Sequence, residues 1–208
     1  MPKNNISELF EDLALVKKIQ ERLPKLFRIA EIESSRAGKI GMEVGFVREK
    51  IIVALLLHKF SKAKVNTDIP TTENEVDVIL DGAGISIKTI TGNGGVKAVW
   101  TVDAESSKIF LDNYKPKCGI ILTQIWWEQN KDSFFYIPLS VQQEILKKVG
   151  KAGYLNLPKA GTNPRGVEFS RNALELMFNH KDTLKIKINW KKEDIKHDGY
   201  ERWVNYWA

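Results

Sequence analysis

A chain of 208 residues, 43% hydrophobic and 28% charged, is long enough to bury a sizeable core and falls among soluble globular proteins. The polar start MPKNNISELFEDL has no apolar signal core, and the longest apolar run, IIVALLL, is far short of the roughly 18 residues a membrane span needs, so a cytoplasmic location is expected. The lone Cys118 rules out an intrachain disulfide, and a net charge of +6, from 32 Lys and Arg against 26 Asp and Glu, favours an anionic partner and permits nucleic-acid binding without demonstrating it.

In SELFEDLALVKKIQERL, apolar residues at 9, 10, 13, 16, 19 and 23 predict an amphipathic helix, with Ser7 as its cap. The small-residue stretch EIESSRAGKIGM predicts a loop, and EVGFVREKIIVALLLHKF a second, better buried helix. Residues 64–69 alternate as a strand does, ended by Pro70. EVDVILDGAGISIKTI, residues 75–90, reads as a hairpin whose turn is Asp81-Gly82. TGNGG is a break, and VKAVWTVDAESSKIFLDNY predicts a helix ending before Pro116. Strands are expected in CGIILTQIWW and SFFYIPL, then a helix SVQQEILKKVG capped by Ser140, a loop LNLPKAGTNPRG, a helix SRNALELMFNH and an alternating strand TLKIKINW. The crowded tryptophans of YERWVNYWA are expected to pack onto the domain or across a dimer interface. The order implies an α/β (α+β) protein, a mixed central sheet flanked by helices. One domain is expected over 1–208, with N-terminal helices in 7–60, a hairpin core in 64–138 and C-terminal helices and a strand in 140–208.

The hairpin raises the question of chemistry. Side chains alternate along a strand, so Glu75 and Asp77 share one face of the first strand, and Ser86 and Lys88 share one face of the second. A turn at 81–84 brings Asp77 almost opposite Ser86 or Lys88, while Val76, Val78, Ile85 and Ile87 face the helices. Metal-dependent phosphodiester hydrolysis needs this combination: a carboxylate for a divalent cation, a second ligand, and a cation near the attacking water. A bare surface Asp-Lys pair would show the same alternation. Glu49, set among the apolar positions Val47, Ile51 and Ile52, adds a carboxylate that is costly to bury unless paired or bound to metal.

A helix with a glutamate, a strand ending in an acid, a hairpin and then x-x-Lys resembles the PD-(D/E)xK nucleases, here as Glu49, Asp77 and Ser86-Ile87-Lys88. The stretches SSRAGKIGMEVGFVREKIIVALL, EVDVILDGAGISIKTITGNGGVKAVWTVDA and LPKAGTNPRGVEFSRNALELM, in that order, resemble the ThaI-type type II restriction endonucleases, from about residue 8 to 190. The resemblance implies a restriction-endonuclease-like core, a homodimer, Mg2+, and cleavage of a short GC-only palindrome, CGCG-like, in double-stranded DNA. It makes Asp77 the metal ligand, Lys88 the group that orients the attacking water and steadies the developing phosphorane charge, and Glu49 a supporting ligand or base. Val76 stands where the pattern has proline, and Ser86 where it has a second acid. Glu49, Glu43 or Glu75 is left to supply that charge, or a water bridges Ser86 to the metal. A cognate DNA methyltransferase is implied because an unprotected host genome would be cut.

DNA contacts are expected from three loops rich in Lys, Arg and Asn. These are Arg36 and Lys39 with Met42 as an apolar wedge at a base step, Asn93 and Lys97 after the lysine strand, and Thr162, Asn163 and Arg165 for base hydrogen bonds. The three histidines have no ligand spacing with one another or with Cys118, and neither a Walker loop nor a Ser or Cys nucleophile motif occurs. Two alternatives stand beside the restriction reading: a structure-specific repair or junction nuclease on the same fold, and a DNA-binding module in which Ser86 marks lost catalysis.

Overall fold

Two hydrophobic cores form on opposite faces of a mixed six-stranded sheet, and the period-two pattern of its strands assigns each buried apolar side chain to one of them. The computed structural model describes residues 5–41, 43–70, 75–100, 103–158 and 166–208. After a turn of 3-10 helix come α1 (Glu8–Glu11), α2 (Leu13–Glu33), a hairpin of β1 (Ser35–Arg36) and β2 (Lys39–Ile40), and α3 (Val44–Phe60). Strands β3 (Val65–Asn66), β4 (Val78–Leu80), β5 (Ala83–Thr91) and β6 (Lys97–Val99) lead to α4 (Ala104–Asn113). Then follow β7 (Gly119–Ile125), β8 (Gln129–Ile137), α5 (Leu139–Tyr154), β9 (Leu155–Asn156), β10 (Val167–Phe169), α6 (Arg171–Phe178), β11 (Leu184–Trp190) and α7 (Glu201–Trp207). The main sheet has the order β11-β8-β7-β5-β4-β3, in which only β5 and β7 run parallel; β6, β10 and β9 form a separate small sheet.

Ile85, Ile87, Ile121 and Phe134 pack with α1, α2 and α3 on one face of the main sheet. On the other, Ile90, Leu122 and Phe135 pack with α5, α6 and the small sheet. β11 lies at the edge: Ile186, Ile188 and Trp190 point into the first core while Lys185, Lys187 and Asn189 are exposed. The mixed sheet flanked by helices agrees with the class expected from element order.

Several local expectations change. The first helix is broken at Asp12, whose side chain accepts from the Leu15 amide at 3.1 Å and so caps α2, whereas Ser7 makes no capping hydrogen bond. α2 then runs through the buried Pro24 to Glu33, so Glu31 belongs to a helix and not to a loop. The strand expected over 64–69 shrinks to Val65–Asn66. Residues 96–114 are not one helix: Lys97–Val99 form β6, and the helix starts at Ala104 with Asp103 capping Ser106 at 2.6 Å. Ser140 is no cap, because α5 begins one residue earlier, after Pro138. Val78, Ile85 and Ile87 are buried as expected, whereas Val76 stays half-buried against Gly84. At the C-terminal end Trp203, Tyr206 and Trp207 are 53%, 84% and 92% exposed, so this segment does not bury its aromatic rings on the chain.

Hairpin β4–β5 turns through Asp81 (φ +47) and Gly82 (φ +81), the left-handed pair that a two-residue turn between twisted strands requires. A Cβ on Gly82 would meet no atom within 4 Å, so only the backbone opposes a side chain there. Gly82→Ala is therefore expected to cost about 1 kcal/mol, read as a lower urea midpoint with an unchanged slope.

Candidate active site

Strand pairing sets the geometry of the site. Val78 lies opposite Ile85 in the β4–β5 ladder, and the Asp77 amide donates to the Ile85 carbonyl at 2.9 Å, which carries the pairing one residue beyond β4. The Asp77 carboxylate then turns back across β5. Its Oδ2 accepts from the Ile87 amide at 2.6 Å, from Ser86 Oγ at 3.2 Å and from Lys88 Nζ at 3.2 Å. Charge-assisted hydrogen bonds of this kind hold a carboxylate in one rotamer.

Asp77 and Lys88 open into a cleft of about 510 Å³ that is also lined by Glu49, Gly45, Lys97 and Trp100. Glu49 reaches it from α3. Burial pushes the Glu49 carboxyl up from 4.5 to about 7; the Lys88 ammonium pulls it down, and the Asp77 carboxylate raises it further. Two acids and two lysines thus share the cleft, and near pH 7 Glu49 is only partly ionised.

The structure brings Glu49, Asp77, Lys88 and Lys97 to one cleft and leaves other candidates beside it. Ser86 is buried and its hydroxyl is spent on Asp77. Glu75 accepts from the Lys117 amide at 3.3 Å, and its carboxyl is raised by burial. Glu43 packs against Gly41 at the start of α3. Asn93 lines a separate cavity of about 370 Å³ with Gln124 and Arg171. Arg36 and Lys39 stand exposed on the β1–β2 hairpin. Met42, Thr162, Asn163 and Arg165 lie outside the described residues.

Of one wall of the cleft the sequence offered only Lys97; the strand that carries it, Trp100 and the pairing with Glu168 are seen in the structure alone. β6 contributes Lys97, whose ammonium is 2.6 Å from Glu168 of β10, and the strand is followed by Trp100, 65% exposed, with Lys97 Nζ 5.3 Å from its ring centre. β10 lies hard against this wall: a Cβ on Gly166 (φ +109) would collide with the Val99 carbonyl oxygen. Val96 and Ala98 are buried while Lys97 and Val99 are half-buried, but the sequence VKAV does not show this alternation, since Val99 is as apolar as Val96.

Among the described residues no three metal-ligating side chains converge. Two hard carboxylates, Asp77 and Glu49, do, and they suit an oxygen-preferring divalent cation that takes its remaining ligands from water and a phosphate. The model of the restriction endonuclease ThaI family matches residues 9–208. A solved chain described as a restriction endonuclease in complex with substrate DNA is similar at 48% identity and a TM-score of 0.91, over 98% of this chain and 99% of that one. No curated protein matches the chain.

In protein stripped of metal, the Glu49 carboxyl is expected to titrate near 7, to move higher in Lys88→Met and lower in Asp77→Asn, as followed by carboxyl-carbon NMR. Because the folded protein keeps this proton to a higher pH than the unfolded chain, the Glu49 contribution to stability falls as pH rises between 4.5 and about 7. A Glu49 signal titrating in the ordinary carboxylate range would contradict both.

Proposed function

Since the chain belongs to the ThaI family of restriction endonucleases, and is thereby a site-specific DNA nuclease, we propose that the cleft of Glu49, Asp77 and Lys88 hydrolyses one phosphodiester in each strand of a short palindrome in double-stranded DNA, with Mg2+. The convergence of two carboxylates and a lysine on one cleft carries this reading. The substrate DNA bound to the 48% identical solved chain supports the choice of polymer. The site is GC-only and CGCG-like by resemblance, and a two-fold palindrome calls for a homodimer.

Asp77 and Glu49 are the residues that would hold the metal. Mg2+ fits them better than Ca2+, because it keeps several waters and commonly uses one or two carboxylates together with substrate phosphate. When bound, the cation supplies positive charge against the phosphate and acidifies water. Asp77 is held by the backbone of β5 and so offers its carboxylate without rearrangement. Lys88 directs its ammonium into the same space, where it orients the attacking water and offsets charge developing on the phosphorane. Glu49, titrating near neutrality, serves as a supporting ligand or accepts a proton from that water. Ser86 holds Asp77 in place of carrying the missing acid.

Lys97 beside the cleft, and Arg36 and Lys39 on the exposed hairpin, are proposed to grip phosphates. The whole chain acts as one nuclease domain in the cytoplasm, where DNA is within reach, and a cognate methyltransferase protects the host. The described residues include no helix long and apolar enough to cross a membrane.

The test is incubation with bacteriophage DNA, with Mg2+ or with EDTA. Discrete Mg2+-dependent fragments are expected, and Asp77→Ala and Lys88→Ala should each slow cleavage by at least about 100-fold. A smear would replace sequence-specific cutting by structure-specific or nonspecific cutting. Uncut but gel-shifted DNA would indicate a binding module.

A further inference from the structure

Neighbouring residues of α3 face two different environments. Glu49 looks into the cleft, while Arg48, about 100° round the helix from it, is 4% exposed and faces α2. There Arg48 Nη2 donates to Glu31 Oε1 at 2.6 Å and Nη1 donates to Thr91 Oγ1 at 3.1 Å. The same Glu31 oxygen accepts from Trp127 Nε1 at 2.8 Å, and Oε2 accepts from Arg28 at 3.4 Å. Phe27 lies under the guanidinium at 5.6 Å, and Trp190 packs between Phe27 and Trp127. One carboxylate, 1% exposed, thereby joins α2, α3 and the turn after β7, and through Arg48 it reaches the end of β5.

This cluster is a poor device for stability alone. Desolvating two charges offsets most of their attraction, and apolar residues of similar volume often serve as well or better. Arg48 Nε is moreover buried with no hydrogen-bond partner, a further cost. What the ion pair does have is direction, and it is the most deeply buried attachment of the first half of α3, where Ile51 packs on the core only in part. From Val44 to Ile51, the stretch that bears Glu49, Arg48 is the one buried side chain; apolar burial resumes at Ile52 and continues through Leu56 and Phe60.

We propose that Arg48 and Glu31 are positioning residues, whose ion pair fixes the rotation of the first half of α3 and its distance from β5, and so sets Glu49 against Lys88 and Asp77. The function assigned to them rests on the nuclease reading of the cleft. The anchor itself does not.

The discriminating variant is the apolar pair Glu31→Leu with Arg48→Met, which removes both charges and keeps the volume, with Arg48→Lys as a milder second variant that keeps the charge and loses the two-pronged donation. Three readouts are taken on protein whose thermal transition remains cooperative: amide hydrogen exchange along α3, Mn2+ binding by calorimetry, and DNA cleavage set beside DNA affinity in EDTA. In the apolar pair, amides at 44–51 should exchange at least about tenfold faster, as local opening does where burial is thin, with those beyond Ile52 unchanged. Mn2+ affinity and turnover should fall about 10- to 100-fold, with DNA affinity in EDTA unchanged. Arg48→Lys should shift the same quantities less. A cooperative apolar variant with wild-type exchange, Mn2+ affinity and turnover overturns the proposal. Wild-type protein that neither binds Mn2+ nor cuts DNA, while exchange in the apolar variant accelerates as stated, overturns the nuclease reading and upholds the anchor.

Discussion

Strand β5 runs between two hydrophobic cores, and burial of Ile85 and Ile87 on one face and of Ile90 on the other fixes its rotation about its own axis. A slip of one residue would turn Ser86 and Lys88 into the core beneath α3 and would bring Ile87 out beside Asp77, which sheet packing forbids. Parallel pairing with β7, whose side chains are buried along its whole length, then holds the strand along its axis. Everything in the cleft is placed relative to this strand. Asp77 hangs from its backbone, Lys88 projects from it, and the first half of α3 is tied to its end through Arg48 and Thr91.

The same arrangement explains the electrostatic state of the cleft. Asp77 Oδ2 is stabilised by three donors, whereas Glu49 has the lysine at a distance, the second acid as an opponent, and burial against it. The two carboxylates therefore differ in role. Asp77 is fixed in place by its donors. Glu49 is poised between its two forms near neutral pH, and a cation entering the cleft would favour its ionised form.

Legibility from sequence followed the range of each interaction. The hairpin was readable because alternation and an Asp-Gly turn are local, and Asp77 and Lys88 came with it. Glu49 stood out as a charge among apolar positions of a strong helical pattern. β6 was not readable, because three residues of strand merge into the helical run that follows, and what pairs them is β10, about seventy residues away. Ser7 and Asp12 both suit a cap, and only the break between α1 and α2 decides between them. Glu31 sat inside an expected loop because the stretch it opens, EIESSRAGKIGM, turns small and Gly-containing from Ser34 onward; packing of α2 against α3 carries the helix on to Glu33. Its pairing with Arg48, Trp127 and Arg28 is tertiary throughout and leaves no periodic trace.

The surplus of positive charge is a weaker pointer to DNA than the pairing of individual lysines. At the cleft Lys88 is matched by Asp77 and Lys97 by Glu168, so before any cation arrives the lysines there present little net attraction to a phosphate backbone. A divalent cation held by Asp77 and Glu49 would change this balance, because it neutralises the acids and leaves Lys88 without a dedicated counter-charge at the place where phosphate must sit. Metal and DNA then favour each other's binding through shared charge, with no movement of the backbone. The paired lysines would then keep the cleft from gripping DNA indiscriminately, and sequence-independent attraction would fall to exposed groups such as Arg36 and Lys39, proposed above to grip phosphates, with a contribution that weakens with salt.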